Sequence, residues 1–169
     1  ICTAQALLAT MAGFYAVYHG PEGIRTIAER IHSIAVFLEK SISKLGYKQV
    51  NAQYFDTLRF ALPDTISAQQ IRTIALSKEV NLRYFKNGDV GMSIDETTDT
   101  AAVNVLLSIF AIAAGKDWEK TSDVPVANTI KEMKRQSTYL THEVFNKYHT
   151  ETEMMRYIKR LDRKDISLA

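Results

Sequence analysis

A cluster of polar side chains near the end of the chain has the residue types that bind anions or carry protons. His149, Glu151 and Glu153 fall within five residues, and Arg156 follows three positions later. Thr150 and Glu153 have the spacing of a capping box, which predicts that a helix begins here. The partial positive charge of a helix N-terminus stabilises carboxylates and can hold an anionic ligand. Spacing alone favours the simpler interpretation, a capped surface helix with solvated acids.

Two further clusters combine carboxylate and hydroxyl groups. They are Asp95-Glu96-Thr97-Thr98 and Tyr54-Phe55-Asp56-Thr57. Capping of a helix start explains the first, and half-buried strand residues with Asp56 at an edge explain the second. Both clusters stay candidates for a functional site beside these structural explanations.

No complete catalytic or metal-binding set accompanies these clusters in the sequence. The four histidines share no metal-ligand spacing, His32 is predicted to lie on a helix surface or to be partly buried, and there is neither a glycine-rich phosphate loop nor a Gly-x-Ser-x-Gly elbow. A single cysteine, Cys2, leaves no internal disulfide, which fits a reducing compartment. The formal net charge of +2, with acids and bases interspersed, indicates neither nucleic-acid binding nor an anionic membrane surface.

Two helices are predicted to open the chain. Residues 3–19 are apolar almost all round, which requires burial on more than one side, but the run falls short of the roughly 20 residues of a membrane span. Gly20-Pro21 separates this helix from the next, which runs to Leu45 with Gly46 as its C-terminal cap. Because the chain begins at Ile1 without methionine or a signal-peptide pattern, we expect a fragment of a longer polypeptide.

The middle section, residues 47–115, alternates strand and helix patterns in the order β-α-β-β-α. Such an order predicts an antiparallel or mixed sheet with helices packed on one side, which is an α+β sandwich. The predicted elements are strands 47–50 and 54–62, a helix from Ala68 to about Lys78, strands 82–85 and 90–94, and a helix that opens after Asp95-Glu96.

Local signals predict where these elements end. Ser67 is the expected cap of the first helix, and Thr97 or Thr98 the expected cap of the second. Asn87-Gly88 predicts a type I′ turn, because this dipeptide readily supplies two positive-φ positions. The inner face of the second helix is predicted to comprise Val103, Leu106, Leu107, Phe110 and Ile112.

The remaining residues, 116–169, read as a linker, a loop and a C-terminal helix. Trp118 is expected to anchor the linker against the core, and a short helix is predicted from about Asn128 to Gln136. The last helix carries an apolar stripe of Met154, Ile158 and Leu161. We divide the chain into the helical segment 1–46, the sandwich 47–115 and the tail 116–169, all within one structural unit.

Five motifs, taken together, resemble the P-protein of the glycine cleavage system. They are residues 1–9, 15–21, 54–58, 95–98 and 144–157, which read ICTAQALLA, YAVYHGP, YFDTL, DETT and VFNKYHTETEMMRY. The motifs occur in the order of the family and span nearly the whole chain. Their co-occurrence is more specific than any one of them.

The resemblance implies a pyridoxal-phosphate (PLP) enzyme of the aspartate-aminotransferase fold type, glycine dehydrogenase (decarboxylating). In this family the coenzyme is the electron sink while glycine loses carbon dioxide, and the aminomethyl group passes to the lipoyl group of the H-protein. The family has two homologous halves, fused or separate. This chain resembles the small C-terminal domain of the first half.

The resemblance also implies a supporting role. The PLP lysine of the family belongs to the second half, in a His-Lys-Thr setting that this sequence does not contain. We therefore expect no catalytic, cofactor-binding or metal-binding residue here, PLP in the parent enzyme, and an inactive isolated chain. The first helix would join the small domain to the large one. The residues predicted to border the active-site channel are His149, Glu151, Glu153, Arg156, Asp95 and Thr97.

The expected partners are the remainder of the P-protein, with its large domain and PLP-bearing half, and lipoylated H-protein through the whole enzyme. Neither nucleic acid nor a membrane is expected as a partner. The location would be the bacterial cytoplasm, or the mitochondrial matrix in a eukaryote. Two alternatives stay open: a stand-alone ligand-binding or interaction module with an α+β sandwich fold, and a small domain of another PLP-dependent enzyme, such as an aminotransferase or serine hydroxymethyltransferase.

Overall fold

The computed structural model describes residues 3–125, 134–164 and 166. Its residues group into two compact units, one formed by residues 1–27 and 134–169 and the other by residues 28–133. The predicted domain boundaries at residues 46 and 115 stay predictions. Within the described residues, no helix has the length and apolar character that crossing a membrane requires.

Helix α1 spans Thr3–Lys44 and is interrupted at Gly20, whose φ of 63° and ψ of −178° are not helical. Pro21 follows, and proline has no N–H with which to continue the helical hydrogen-bond ladder. The prediction that Gly20-Pro21 separates two helices is therefore confirmed. After the break, α1 enters the core of the second unit through its buried residues Ile34, Ala35, Leu38 and Ile42.

The unit formed by residues 28–133 contains a four-stranded antiparallel sheet in the order β1-β2-β4-β3. Leu58 lies opposite Met92 and Phe60 lies opposite Val90, so these four side chains share one face of the sheet, and all are buried. Period-two alternation therefore directs one face of β2 and β4 into the core. The strands are β1 (Lys48–Gln49), β2 (Thr57–Ala61), β3 (Arg83–Tyr84) and β4 (Val90–Ser93).

Two helices complete this unit, α2 (Ala68–Ser77) and α3 (Thr100–Ala114). The chain order β2-α2-β3-β4-α3 confirms the predicted β-α-β-β-α order and the α+β class. Trp118 packs against the core, as predicted. The largest fully buried side chains come from the sheet and all three helices: Phe60, Phe110, Leu38, Ile42, Leu58, Ile71, Ile109, Val90 and Val103.

The helix caps agree with the prediction in one case and differ in the other. Ser67 caps α2, because its Oγ accepts the backbone N–H of Gln70 at 3.1 Å. Asp99 caps α3, with Oδ1 accepting from the N–H of Ala102 at 2.8 Å. The prediction of Thr97 or Thr98 as this cap is wrong, because both hydroxyls donate to Asp95 instead.

Two further predictions are wrong for geometric reasons. Gly88 has a φ of 91°, but Asn87 does not have positive φ, so the hairpin turn is not type I′. The N–H of Phe85 donates to the carbonyl of Asp89 at 3.0 Å, which leaves a three-residue loop in which glycine supplies the left-handed position. Ile112, which was predicted to lie on the inner face of α3, is 52% exposed. It lies about 200° around the helix from Phe110, which is fully buried.

The tail in the other unit contains a 3₁₀ turn at Glu143–Asn146 and helix α4 (Glu151–Asp162). Met154 is buried on α4, whereas Ile158, the next residue of the predicted stripe, is 37% exposed. The helix predicted from Asn128 to Gln136 falls largely on residues 126–133, which lie outside the described residues.

Candidate functional site

The first candidate cluster lies where helix α4 begins. Thr150 is the N-cap, because its Oγ1 accepts the backbone N–H of Glu153 at 3.3 Å. The same hydroxyl donates to Glu153 Oε2 at 3.0 Å. Glu151 and Glu153 are both exposed in the first turn of α4, where the helix dipole favours carboxylates. Capping thus explains where both acids lie, as the simpler interpretation predicted.

His149 is held by helix α1. Its Nδ1 lies 2.7 Å from the carbonyl oxygen of Tyr18. A carbonyl only accepts hydrogen bonds, so Nδ1 carries the proton and the neutral ring keeps its lone pair on Nε2. Nearby, the hydroxyl of Tyr139 donates to the carbonyl of Pro21 at 2.5 Å. Two tail residues thus bind backbone carbonyls of α1 on either side of its break at Gly20.

Arg156 lies in the second turn of α4 and is exposed. The arginine that makes specific contacts is Arg160, which sequence reasoning did not select. Its guanidinium donates to the hydroxyl of Tyr148 at 2.5 Å and lies 5.3 Å from the ring centroid of Tyr157. The two tyrosine rings stack with centroids 4.4 Å apart. Of the predicted residues, Glu151 and Glu153 lie in the first turn of α4, His149 lies just before its cap, and Arg156 lies in its second turn.

The second candidate cluster is a turn between β4 and α3 in the other unit. Asp95 Oδ1 accepts from the hydroxyl of Thr97 at 2.7 Å and that of Thr98 at 3.1 Å. It also accepts from the backbone N–H groups of both threonines, at 3.0 and 3.1 Å. These hydrogen bonds, led by the one from the Thr97 side chain, lower the pKa of the Asp95 carboxyl, which is fully exposed.

The fold brings the third cluster to the same end of the sheet. The N–H of Ile94 donates to the carbonyl of Asp56 at 3.1 Å. The hydroxyls of Thr57 and Ser93 lie 2.9 Å apart, in register across β2 and β4. The segments Tyr54–Thr57 and Asp95–Thr98, which are separate motifs in the sequence, are therefore neighbours in space. We call this surface the sheet-end cluster.

Two α1 residues bind the loops of the sheet-end cluster. Arg30 donates from Nη1 to the carbonyl of Glu96 and from Nη2 to the carbonyl of Thr98, both at 2.9 Å. His32 is 6% exposed, and its Nδ1 lies 2.8 Å from the carbonyl oxygen of Phe55. The imidazole also stacks on the Phe55 ring, with centroids 5.7 Å apart. Sequence reasoning missed Arg30, because nothing in a helical pattern shows which surface arginine reaches a distant loop.

The described residues do not fit a covalent PLP site. A lysine that forms a Schiff base is desolvated or has its pKa lowered by neighbouring cations. Every described lysine except the half-buried Lys78 is exposed, and the pKa of Lys147 is raised by its hydrogen bond to Glu143. In the same part of the chain, no group of three or more His, Cys, Asp or Glu side chains is arranged to hold a metal ion.

Comparisons with known proteins agree on one family. A family model described as the glycine cleavage system P-protein matches residues 1–110. Proteins named glycine dehydrogenase (decarboxylating) match over the whole chain: that of Bacteroides fragilis is 83% identical over 170 residues and that of Bacteroides thetaiotaomicron 79%. That of Paraburkholderia xenovorans is 44% identical over 99% of the chain. The chain spans 18% of the length of each of these three relatives.

Proposed function

The chain belongs to the glycine cleavage system P-protein family, and we propose that it is a supporting domain of a full-length glycine dehydrogenase (decarboxylating). The parent enzyme would decarboxylate glycine and pass the aminomethyl group to the lipoyl group of H-protein. PLP, when bound to the parent, would supply the electron sink. This chain would contribute no lysine to the cofactor, and its isolated form would be inactive.

An exposed apolar face on α1 is the observation that carries this proposal. Leu7, Leu8 and Met11 are 63%, 65% and 58% exposed, and spacings of one, three and four residues place them on one side of the helix. A helix in water normally turns such side chains toward a core. A contiguous exposed apolar patch marks an interaction site. The remainder of the parent protein, beyond the 18% that this chain represents, is the proposed occupant.

The residues predicted to border the active-site channel lie in two places and differ in their contacts. Asp95 and Thr97 are exposed in a turn that α1 holds in place. His149, Glu151, Glu153 and Arg156 are all exposed at or near the start of α4, and the His149 ring also binds helix α1. We propose that the exposed members border the active-site channel of the parent, and that His149 fixes the segment that carries them.

A labelling experiment tests the supporting role. The purified chain is incubated with PLP, reduced with borohydride, and mapped by peptide mass spectrometry. We expect scattered, substoichiometric labelling, because the lysines of the described part are surface groups. Complete labelling of one lysine would contradict the proposal, since the chain would then hold its own cofactor site.

A substitution in the full-length enzyme tests the border role. Glu153→Gln is expected to slow glycine–bicarbonate exchange. The matched control is Glu119→Gln, which changes an exposed glutamate in the other unit. Unchanged exchange and unchanged stability in Glu153→Gln would remove α4 from the proposed border.

The proposed partners and location follow from the parent enzyme. The remainder of the P-protein would contact this chain directly, and H-protein would meet it only through the whole enzyme. The proposed location is the bacterial cytoplasm, or the mitochondrial matrix if the source is a eukaryote. Fractionation of the source cells, with immunoblotting of the parent protein, tests this.

A further inference from the structure

We propose that Arg30 is the positioning residue that holds Asp95 and Thr97 in their exposed orientation at the sheet end. The inference rests on the proposed function, because it assigns these two residues to the border of the parent's active site. In the described structure, the hydrogen bonds of Arg30 do not go to either side chain. Its two hydrogen bonds go to the backbone carbonyls of Glu96 and Thr98.

The guanidinium of Arg30 binds the backbone of the Asp95 turn on both sides of Thr97. Glu96 and Thr98 flank Thr97, so the two carbonyls bound by Arg30 lie on either side of the residue to be positioned. A guanidinium presents its donors in a rigid planar fork, so two bonds at 2.9 Å fix an orientation as well as a distance. A lysine ammonium is a single point charge and has no such fork.

A second set of hydrogen bonds joins residues of the turn to one another. Asp95 Oδ1 binds the hydroxyls and backbone N–H groups of Thr97 and Thr98. These bonds set the shape of the turn, but they connect it to no other element. Arg30 connects the turn to α1, a helix whose next turns are buried in the core, in addition to the attachment of the turn to β4 and α3 at its two ends. The turn therefore keeps its shape through Asp95 and its place through Arg30.

Helix α1 also binds the neighbouring loop, Tyr54–Thr57, through His32. Residues two apart on a helix point about 200° apart, so Arg30 and His32 lie on opposite flanks of α1. His32 binds the carbonyl of Phe55, and the Ile94–Asp56 backbone bond joins that loop to the end of β4. Both loops of the sheet-end cluster are thus fixed to one helix, and Arg30 links that helix to the Asp95 turn.

The first test is structural and does not depend on activity. The carboxyl carbon of Asp95 is titrated by NMR in the 169-residue chain, in its Arg30→Ala variant and in its Arg30→Lys variant. We expect the pKa of Asp95 to rise toward its ordinary value in Arg30→Ala and by less in Arg30→Lys, because a loosened turn weakens the bonds from Thr97 and Thr98. An unmoved titration in Arg30→Ala would overturn the inference.

The control is Arg72→Ala. Arg72 is an exposed arginine on α2 whose guanidinium lies 5.8 Å from the ring centroid of Tyr84. It belongs to the same unit but has no bond to the Asp95 turn. Arg72→Ala should leave the Asp95 titration unchanged, and thermal unfolding of all variants checks that the fold is retained.

The second test is a double-mutant cycle in the full-length enzyme. Glycine–bicarbonate exchange is measured for Arg30→Ala, Asp95→Asn and the double variant. We expect each single variant to lose about tenfold in exchange rate, less than the roughly hundredfold that a 1 Å misplacement can cause at a reacting centre. If Arg30 acts through Asp95, Arg30→Ala adds little in the Asp95→Asn background.

The outcomes separate the inference from the proposed function. Independent, multiplying losses would show that Arg30 acts by another route, which overturns the inference while Asp95 keeps its border role. Unchanged exchange in Asp95→Asn would overturn the border role and with it the effect of Arg30 on the reaction. The NMR titration would still report whether Arg30 holds the turn.

Discussion

Gly20 and His149 approach so closely that there is no room for a side chain between them. A Cβ on Gly20 would stand 2.8 Å from Cε1 of His149 and 2.7 Å from the carbonyl oxygen of Phe145. Gly20 also has a φ of 63° and a ψ of −178°, a backbone conformation that is essentially restricted to glycine and costs other residues roughly 1–3 kcal/mol. The break in α1 and the tail that packs on it therefore depend on this one glycine.

Gly20→Ala is expected to lower the free energy of unfolding by about 2 kcal/mol or more, because a backbone oxygen cannot move aside as a flexible side chain can. Chemical denaturation of the purified chain measures the change. Gly13→Ala is the matched control: a Cβ there meets nothing within 4 Å inside helix α1. It should leave stability unchanged or raise it by up to about 1 kcal/mol. Equal effects of the two substitutions would show that Gly20 has no special packing role.

Local signals in the sequence predicted most of the fold. The Gly20-Pro21 break and the Ser67 cap each depend on residues within a few positions of one another, and each appears as predicted. The predicted cap of α3 was wrong because the two candidate threonines lie between two aspartates, Asp95 and Asp99, that compete for the same hydrogen bonds. Their hydroxyls bind Asp95, and Asp99 takes the cap. Neighbouring polar groups compete, and spacing does not rank them.

The candidate site was less accessible to sequence reasoning, because its contacts are distant in the chain. Arg30 reaches carbonyls 66 and 68 residues further along. His149 reaches the carbonyl of Tyr18 across 131 residues. Such partners are fixed by tertiary packing, and no local pattern encodes them. The motifs themselves could be recognised in the sequence. The sequence did not show that two of them, Tyr54–Thr57 and Asp95–Thr98, meet at one end of the sheet.

The Asp95 turn should show a pH dependence with a defined sign. The hydrogen bonds from Thr97 and Thr98 lower the pKa of Asp95 below its ordinary 3.8. The stabilisation they provide is therefore complete above about pH 4 and is lost as the pH falls through the lowered folded-state pKa. Thr97→Val, which removes the Thr97 hydroxyl bond to Asp95, should raise this pKa toward 3.8 in an NMR titration.

Thr57→Val is the control for that titration. Thr57 donates to Asp56 and lies beside Ser93, but it makes no hydrogen bond to Asp95 in the described structure. The Asp95 pKa should therefore stay low in Thr57→Val. If the pKa of Asp95 rose equally in Thr97→Val and Thr57→Val, the hydrogen bond from Thr97 would not be the cause of the lowered pKa.

The exposed apolar face of α1 should make the isolated chain bind hydrophobic dye and self-associate. Leu7→Gln/Met11→Gln is expected to reduce both dye fluorescence and the apparent mass in sedimentation, because it removes two of the three exposed apolar side chains. Leu76→Gln is the control, since Leu76 is a comparably exposed leucine on α2 (51%). Equal reductions would show that the α1 face is not a distinct surface, and would weaken its proposed role in the parent enzyme.

Tyr47 offers a test of the core at high pH. The side chain is 3% exposed, its hydroxyl donates to the carbonyl of Phe110 at 2.8 Å, and burial raises its pKa from 10.0 to about 12. Tyr47→Phe should lose about 1 kcal/mol of stability at pH 7, which is typical of one buried hydrogen bond. The raised pKa means that the folded state retains a proton that the unfolded state releases.

The advantage of the wild-type chain over Tyr47→Phe is therefore complete below about pH 10 and shrinks as the pH rises toward about 12. Urea unfolding of both proteins at pH 7, 10 and 11 measures it. Taking the difference between the two removes contributions from the other tyrosines with raised pKa, Tyr54 and Tyr84. An advantage that stayed constant across this range would mean that Tyr47 ionises equally in the folded and unfolded states, and that its hydroxyl is not buried in solution.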